Sequence, residues 1–254
     1  MGKLVSHKYD GALLSFGAGV NSTALAILLI NEGWRGPIVF ADTGCEWPET
    51  YCFMDYFEAE WLRPRGLEIT RVGTEWRIPS KQGSLIEYCE AHNVIPLAGT
   101  RWCTIDYKVK PVGRWATKHG IEVQLIGIAA DEAHRRPEGV RPLVEYGITR
   151  KGCIDIIQAE ALEVPQKSGC YLCPFQRDSQ WRDLWRLHPE FFEGVARLEE
   201  QVERKRPGYY RATLDPSGKV TLRERQFRYE TQQSFLEEDD WDYLLAYKPC
   251  ICGL

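Results

Sequence analysis

The chain has 254 residues, 44% of them hydrophobic and 27% charged, which bounds it to one large globular domain or one domain with a small C-terminal appendage. A net charge of −4 argues against general nucleic-acid binding by phosphate neutralisation, though it leaves room for a local basic channel. No apolar run approaches the ~20 residues of a spanning helix. The first ten residues, MGKLVSHKYD, lack the apolar centre and cleavage site of a signal peptide, so a cytoplasmic location with no membrane attachment is expected.

In chain order, residues 11–16 (GALLSF) predict a buried strand and GAGVN a glycine-rich turn. A helix follows over STALAILLINEG, capped at Asn21 or Ser22 and stopped at Gly33. Residues 37–41 are a second buried strand ending in the turn Asp42-Thr43-Gly44. Pro48 and Glu49 open a helix to about Leu62, and residues 67–72 form a third strand. Helices are expected over 81–92 and 106–119, with Pro111 starting or kinking the latter, and a fourth strand over 122–129. Beyond residue 150 the pattern becomes helical at 152–162, loop at 165–173, and one or two charged helices at 178–206. A hairpin is expected over 209–223, followed by an acidic tail ending in PCICGL.

Strands alternating with helices give an α/β fold with a doubly wound, mostly parallel, Rossmann-like sheet. The boundaries drawn are a nucleotide-binding domain over 1–165 and a helical, cysteine-bearing C-terminal extension over 166–254. Ligands of such sheets sit beyond the strands' carboxyl ends. The loops 16–22, 41–45 and 129–136 all follow predicted strands and should converge on that edge.

The glycine-rich segment places Ser15, Gly17, Gly19, Asn21, Ser22 and Thr23 between a strand and a helix. Read bluntly, this is a strand–helix turn. Small residues with adjacent hydroxyls at a helix N-terminus also make an anion cradle from backbone N–H groups, and the position after the first strand favours the cradle. The Gly-Lys-Ser/Thr ending of a Walker loop is missing and the glycine spacing is wrong for a dinucleotide fingerprint.

This segment resembles the PP-loop, Ser-Gly-Gly-x-Asp-Ser, of the adenine nucleotide alpha hydrolase-like enzymes. Gly19 and Ser22 match it, while Gly17, Ala18 and Asn21 stand where that motif has Ser, Gly and Asp. The stretch from Asp42 to Thr50, DTGCEWPET, resembles the Asp-Thr-Gly-x-x-x-Pro-Glu-Thr of phosphoadenosine phosphosulfate reductases. Arg101-Trp102-Cys103-Thr104 with Lys108 and Pro111 resembles that family's cysteine-then-basic helix. Residues 127–136 resemble its Gly-x-Arg-x-x-Glu-x-x-x-Arg loop, with Ala129 in place of the first Arg. The shared order of these motifs carries the resemblance over about residues 11–175.

What the resemblance implies is a PP-loop enzyme, either a sulfurtransferase or a phosphoadenosine phosphosulfate reductase-type oxidoreductase. It would bind ATP, with Mg²⁺, or a related adenine nucleotide such as a sulfonucleotide. Asp42 would meet the ribose or purine edge, or else merely cap a turn. Arg101, Lys108 and Arg135 would meet the phosphates; the bland alternative is a solvated helix surface. Lys110 and Arg114, four apart, share a helix face and would join that clamp. The reading favoured is sulfur transfer or nucleic-acid thiolation, with a nucleic-acid substrate or a sulfur-donor protein as partner and a homodimer as assembly. Sulfonucleotide reduction is one alternative. A non-catalytic nucleotide sensor, motivated by the changes at Gly17, Ala18 and Asn21, is the other.

Nine cysteines in a chain expected to be cytosolic point to metal, cluster or redox chemistry rather than a disulfide framework. Cys170-Tyr171-Leu172-Cys173 has the spacing of two thiolates on one metal or cluster. With Cys103, and by resemblance to relatives that pair an upstream cysteine motif with such a turn, it implies a 4Fe-4S cluster; structural zinc and free thiols stay open. Cys45, Cys52, Cys89 and Cys153 read as core residues. Cys250 and Cys252 resemble, faintly, the nucleophilic tail cysteine of sulfonucleotide reductases, and are the candidate catalytic thiols unless incidental to the tail. Trp181 and Trp185 beside Arg177, Arg182 and Arg186 read either as a stacking surface for nucleic acid or as core anchors.

Overall fold

The computed structural model describes residues 6–135, 137–209 and 220–232. Its helices are α1 (Val20–Asn31), α2 (Pro48–Phe57), α3 (Leu85–His92), α4 (Trp102–Thr104), α5 (Lys110–Lys118), α6 (Pro142–Glu145), α7 (Arg150–Ala159), α8 (Asp178–Leu187), α9 (Pro189–Lys205) and α10 (Leu222–Gln232). Its strands are β1 (Leu13–Phe16), β2 (Ile38–Ala41), β3 (Ile69–Val72) and β4 (Gln124–Ile126). The chain divides into two compact units, each discontinuous: residues 1–82 with 106–169, and residues 83–105 with 170–254.

The first unit holds a parallel sheet of order β3-β2-β1-β4. Side chains alternate across a strand, and both faces here are apolar. Leu14, Phe16, Ile38 and Phe40 enter a core with Leu25 and Leu29 of α1, Met54 and Phe57 of α2, and Ile157 of α7. Leu13, Val39, Ala41 and Val72 enter the opposite core, with Val112, Trp115 and Ala116 of α5. Helices on both faces make the sheet doubly wound. The chain runs outward from β1 to β2 and β3 and then returns to β1's other side for β4. That reversal is a topological switch point, where the strand ends leave a crevice.

Two predicted helices carry irregular turns. The helix from Pro48 relaxes into a π-helix over Glu58–Leu62, and the helix containing Pro111 begins with a π-helix over Ile105–Val109 before α5. Proline cannot donate to the i−4 carbonyl, so the α-helical ladder starts afresh around Pro111.

In the second unit the charged stretch is two helices, α8 and α9, broken at His188-Pro189. α3 opens with a capping box: Ser84 Oγ accepts from the Glu87 N–H at 3.3 Å, and the Glu87 carboxylate accepts from the Ser84 N–H at 2.7 Å. Gln201 of α9 donates to the Glu90 carbonyl at 2.8 Å and to Asn93 Oδ1 at 3.0 Å, tying α9 to α3. Residues 222–232 are helical, and the body of the expected hairpin, 210–219, lies outside the described residues, as do Arg136 and the tail.

Candidate functional site

Helix α1 starts two or three residues earlier than its polar residues suggest: its N-cap is Gly19, in an extended conformation, not Asn21 or Ser22. Ser22 lies at the third helical position and folds back. Its Oγ accepts from the Gly17 and Gly19 N–H groups, both at 3.3 Å, and donates to the Gly19 carbonyl at 3.0 Å. The first intrahelical bond is Thr23 N–H to Gly19 O, so the N–H groups of Val20, Asn21 and Ser22 have no helical acceptor. N–H groups of this kind can serve as donors to an anion. Thr23 is fully buried, and its hydroxyl makes no hydrogen bond among the described residues. Ser15, half-buried, sits on β1 between Val39 of β2 and Ile126 of β4.

Two glycines keep this corner open. A Cβ on Gly19 would come within 2.7 Å of Ser168 Oγ, and one on Gly127 within 2.8 Å of the Ser22 backbone. Ala18 holds φ of 53°, a left-handed conformation that favours glycine.

At the end of β2, Asp42 Oδ1 accepts from the Gly44 N–H at 2.8 Å and from the Tyr51 hydroxyl at 2.6 Å. Its Oδ2 makes no hydrogen bond among the described residues and is the oxygen a ribose hydroxyl can meet. Burial, then the Asp42 carboxylate, raise the Tyr51 phenol above its ordinary range, so it stays a donor. Buried Arg77 donates to the Asp42 carbonyl and lies 4.5 Å over the Tyr107 ring; burial lowers its pKa.

Lys108 lies 2.9 Å from Glu46, whose side chain is 1% exposed, and Glu46 also accepts from Thr43 Oγ1 at 3.1 Å. Lys110 is paired with Asp106 at 2.7 Å, and Arg114 donates to the Trp76 carbonyl at 2.7 Å. The expected Lys110–Arg114 clamp is therefore not assembled, because each side chain has a local acceptor of its own.

Asn21 is 7% exposed and links the cradle to the loop after β4. Its amide NH₂ donates to Glu132 at 2.9 Å, and its amide oxygen accepts from Arg150 Nη1 at 3.5 Å. A carboxylate only accepts and a guanidinium only donates, so an amide is the group that bridges the two. An Asp at 21 would repel Glu132, which accounts for this departure from the PP-loop motif. Arg135 pairs with the same Glu132 at 3.3 Å, and His134 is exposed. Arg150 escaped the sequence reading, because nothing in a helix start at 150 signals a partner at residue 21.

In the second unit, Cys170 and Cys173 span a turn closed by the Cys173 N–H to the Cys170 carbonyl at 3.1 Å, and both are half-buried. Cys103, on α4, is also half-buried. Among the described residues no three His, Cys, Asp or Glu side chains are grouped to hold a metal ion. The turn offers two thiols at ligand spacing, but the described residues do not by themselves supply the set a four-iron cluster needs. Arg101 also belongs to this unit, its guanidinium 5.7 Å over the Phe175 ring. Trp181 is fully buried, so it is a core anchor and not a stacking platform. Cys45, Cys89 and Cys153 are buried, Cys52 is half-buried and disulfide-bonded, and burial pushes the Cys153 thiol up to about 12. Cys250 and Cys252 lie outside the described residues.

A parallel sheet with a glycine-rich cradle after its central strand, at the switch point, defines an α/β unit of the PP-loop class. The chain belongs to the phosphoadenosine phosphosulfate reductase domain family, whose model matches residues 11–157. No curated protein sequence matches it. Among solved structures it is similar to phosphoadenylyl-sulfate reductase from Candida auris in a phosphate complex, at 16% identity and a TM-score of 0.48, covering 67% of this chain and 88% of that one. It is also similar to the U34-tRNA thiolase NcsA of Methanococcus maripaludis with its [4Fe-4S] cluster, at 14% identity and a TM-score of 0.41, covering 76% and 71%. Likenesses of this degree assign neither substrate nor cofactor. Among the described residues no helix is long and apolar enough to cross a membrane.

Proposed function

We propose that the first unit binds an adenine nucleotide, with its phosphates in the cradle of residues 15–23 and its ribose at Asp42, and that the chain works in sulfur transfer. The observation that carries the nucleotide reading is the cradle itself: N–H groups without helical acceptors at the N-terminus of α1, beside the buried unpartnered hydroxyl of Thr23. Family membership supports sulfur chemistry, and Cys170 and Cys173 supply thiols at ligand spacing. In this reading the nucleotide is held by backbone N–H groups, and Asp42 orients the ribose. Thiolation of a nucleic acid and reduction of a sulfonucleotide are the two acceptor chemistries it admits.

The sensor reading has one observation in its favour: Asn21 replaces a carboxylate that would have drawn a metal-bound triphosphate, and its amide is already committed to Glu132. Pyrophosphate release separates the two, since a sensor binds ATP without turnover.

The test is calorimetric titration of the full chain with ATP and with phosphoadenosine phosphosulfate, alongside Gly19→Val. The expected result is binding of at least one nucleotide and a loss of tenfold or more in the variant, because a side chain at 19 meets Ser168 and blocks the anion's approach. Equal affinity in both proteins removes the site. Iron and sulfide quantification after anaerobic purification tests the cluster separately, and stoichiometric zinc without iron replaces it with a structural metal.

A further inference from the structure

Among the described residues, Lys108, Arg135 and Arg150 stand near the cradle and the strand ends beside it, while Arg77 is buried and committed to the Asp42 carbonyl. Lys108 belongs to the motifs that carry the family resemblance, and Arg135 precedes the motif arginine, Arg136, which lies outside the described residues; Lys108 and Arg135 are each already neutralised. Lys108 is 2.9 Å from the buried Glu46 carboxylate, and Arg135 is 3.3 Å from Glu132. Recruiting either to a ligand would strip a carboxylate of its partner, and at Glu46 that carboxylate is out of water. Arg150 differs. Among the described residues its guanidinium makes no ion pair; its one partner is the neutral amide oxygen of Asn21, inside the cradle, at 3.5 Å.

Arg150 is also held in place by its backbone. It is the first residue of α7, whose N-cap Thr149 accepts from the Gly152 N–H at 3.3 Å. The Arg150 N–H donates to Asp131 Oδ1 at 3.0 Å, so the nearby carboxylate engages the main chain and leaves the guanidinium unpaired. α7 packs against α1 through Cys153 and Ile157 in the core that α1 shares. The helix carrying the arginine is thus fixed to the helix carrying the cradle, and the side chain spans the short gap between them.

We infer that Arg150 is the phosphate-binding cation of the cradle, taking over the charge-pairing role for which Lys108 and Arg135 are not free. Asn21 positions it: the amide carbonyl aims the guanidinium at the helix N-terminus while the NH₂ keeps Glu132 satisfied. An exposed, planar, always-charged fork beside unpaired N–H donors is suited to two oxygens of one phosphate. This rests on the nucleotide reading of the cradle and names the residue that places a guanidinium without an ion pair beside it. The ligand class is a phosphate-bearing nucleotide whose terminal oxyanion reaches the space between α1 and α7.

The experiment measures ATP and inorganic pyrophosphate affinity of the full chain by calorimetry for wild type, Arg150→Gln, Arg150→Lys and Lys151→Gln, with circular dichroism to establish folding. Lys151 is the neighbouring charge on α7 but is 84% exposed and paired with Asp155, so it controls for lost charge alone. The expected result is a tenfold or larger loss for Arg150→Gln, partial recovery in Arg150→Lys, and less than a twofold change for Lys151→Gln. The slope of affinity against salt should also flatten in Arg150→Gln only. If wild type binds ATP and folded Arg150→Gln binds it equally well, the inference falls and the nucleotide reading stands. Equal losses in Arg150→Gln and Lys151→Gln also overturn it, since they mean long-range charge and not contact. If wild type binds neither ATP, pyrophosphate nor phosphoadenosine phosphosulfate, both fall together.

Discussion

Among the described residues each unit has one buried glutamate, and the two are held differently. In the first, Glu46 is matched by a lysine side chain 2.9 Å away and by the Thr43 hydroxyl. In the second, Glu199 on α9 is 3% exposed and accepts two contacts from a single backbone N–H, that of Leu222, at 2.9 and 3.1 Å. Leu222 is the first residue of α10, so Glu199 caps a neighbouring helix from outside it. Burial pushes its carboxyl up to about 8; the Leu222 N–H, Arg225 and Arg223 pull it down, and Glu200 adds to the rise. Glu46 faces a cation, whereas Glu199, whose hydrogen bonds come from one backbone N–H, is a proton store.

The largest expected effect follows from that store. The folded carboxyl near 8 lies above the ordinary unfolded value of about 4.3. The native state therefore holds a proton that the unfolded chain releases. Stability from Glu199 is complete below about pH 4.3 and is lost as pH rises through about 8, on the order of 5 kcal/mol in all. Urea unfolding at pH 5 and pH 8, followed by tryptophan fluorescence, should show that fall in wild type and a flattened profile in Glu199→Gln. A wild-type profile that is already flat erases the contrast between the two carboxylates.

A smaller effect is expected at the paired site. Lys108→Gln leaves Glu46 buried without its cation, and because Lys108 is itself 39% exposed the cost should be about 2 kcal/mol, below that of a fully buried pair. Adding Glu46→Gln should recover most of the loss in chemical denaturation, since a neutral pair carries no stranded charge. Additive losses in the double variant would mean that the two residues act separately.

The smallest effect belongs to the cradle. Ala18 holds a left-handed φ of 53°. Ala18→Gly relieves about 1–2 kcal/mol of strain against about 0.5–1 kcal/mol of added chain entropy, so the thermal midpoint should rise slightly. A fall would mean that the Ala18 methyl, 1% exposed as part of its residue, contributes more by packing than its backbone costs.

β1 and β2 were legible because LLSF and IVFA are short, nearly continuous apolar runs, as a sheet covered on both faces requires, whereas β3 carries Thr70 and Arg71 between its apolar ends. The turn between β1 and α1 was legible from the position of GAGVN after the first of these strands. The helix start was misplaced, since Gly19 caps α1 without a side chain and Ser22 serves the loop from the third helical position. Trp181 was left open between a stacking surface and a core anchor, because a tryptophan every few residues on a charged helix marks either face and only burial decides; its burial makes it an anchor. Glu46–Lys108 and Asn21–Arg150 were invisible for a different reason. Each joins residues far apart in sequence that meet only once the sheet has ordered its strands, and no local periodicity records such a meeting.

Strand order has a consequence in time as well as in space. β1, α1, β2 and β3 follow one another from the ribosome, but β1's other neighbour is β4, and Gly127 just beyond β4 lies against the backbone of Ser22. Until that distant segment arrives, α1's first turn has no wall behind it and Asn21 has neither Glu132 nor Arg150 to meet. Closing so long a loop is slow compared with forming the local βα turns. The proposed nucleotide cradle is therefore among the last parts of the first unit to come into being during synthesis. A nucleotide that binds there acts on a nearly finished fold, tightening it against reopening, and cannot serve as a template for the early strands.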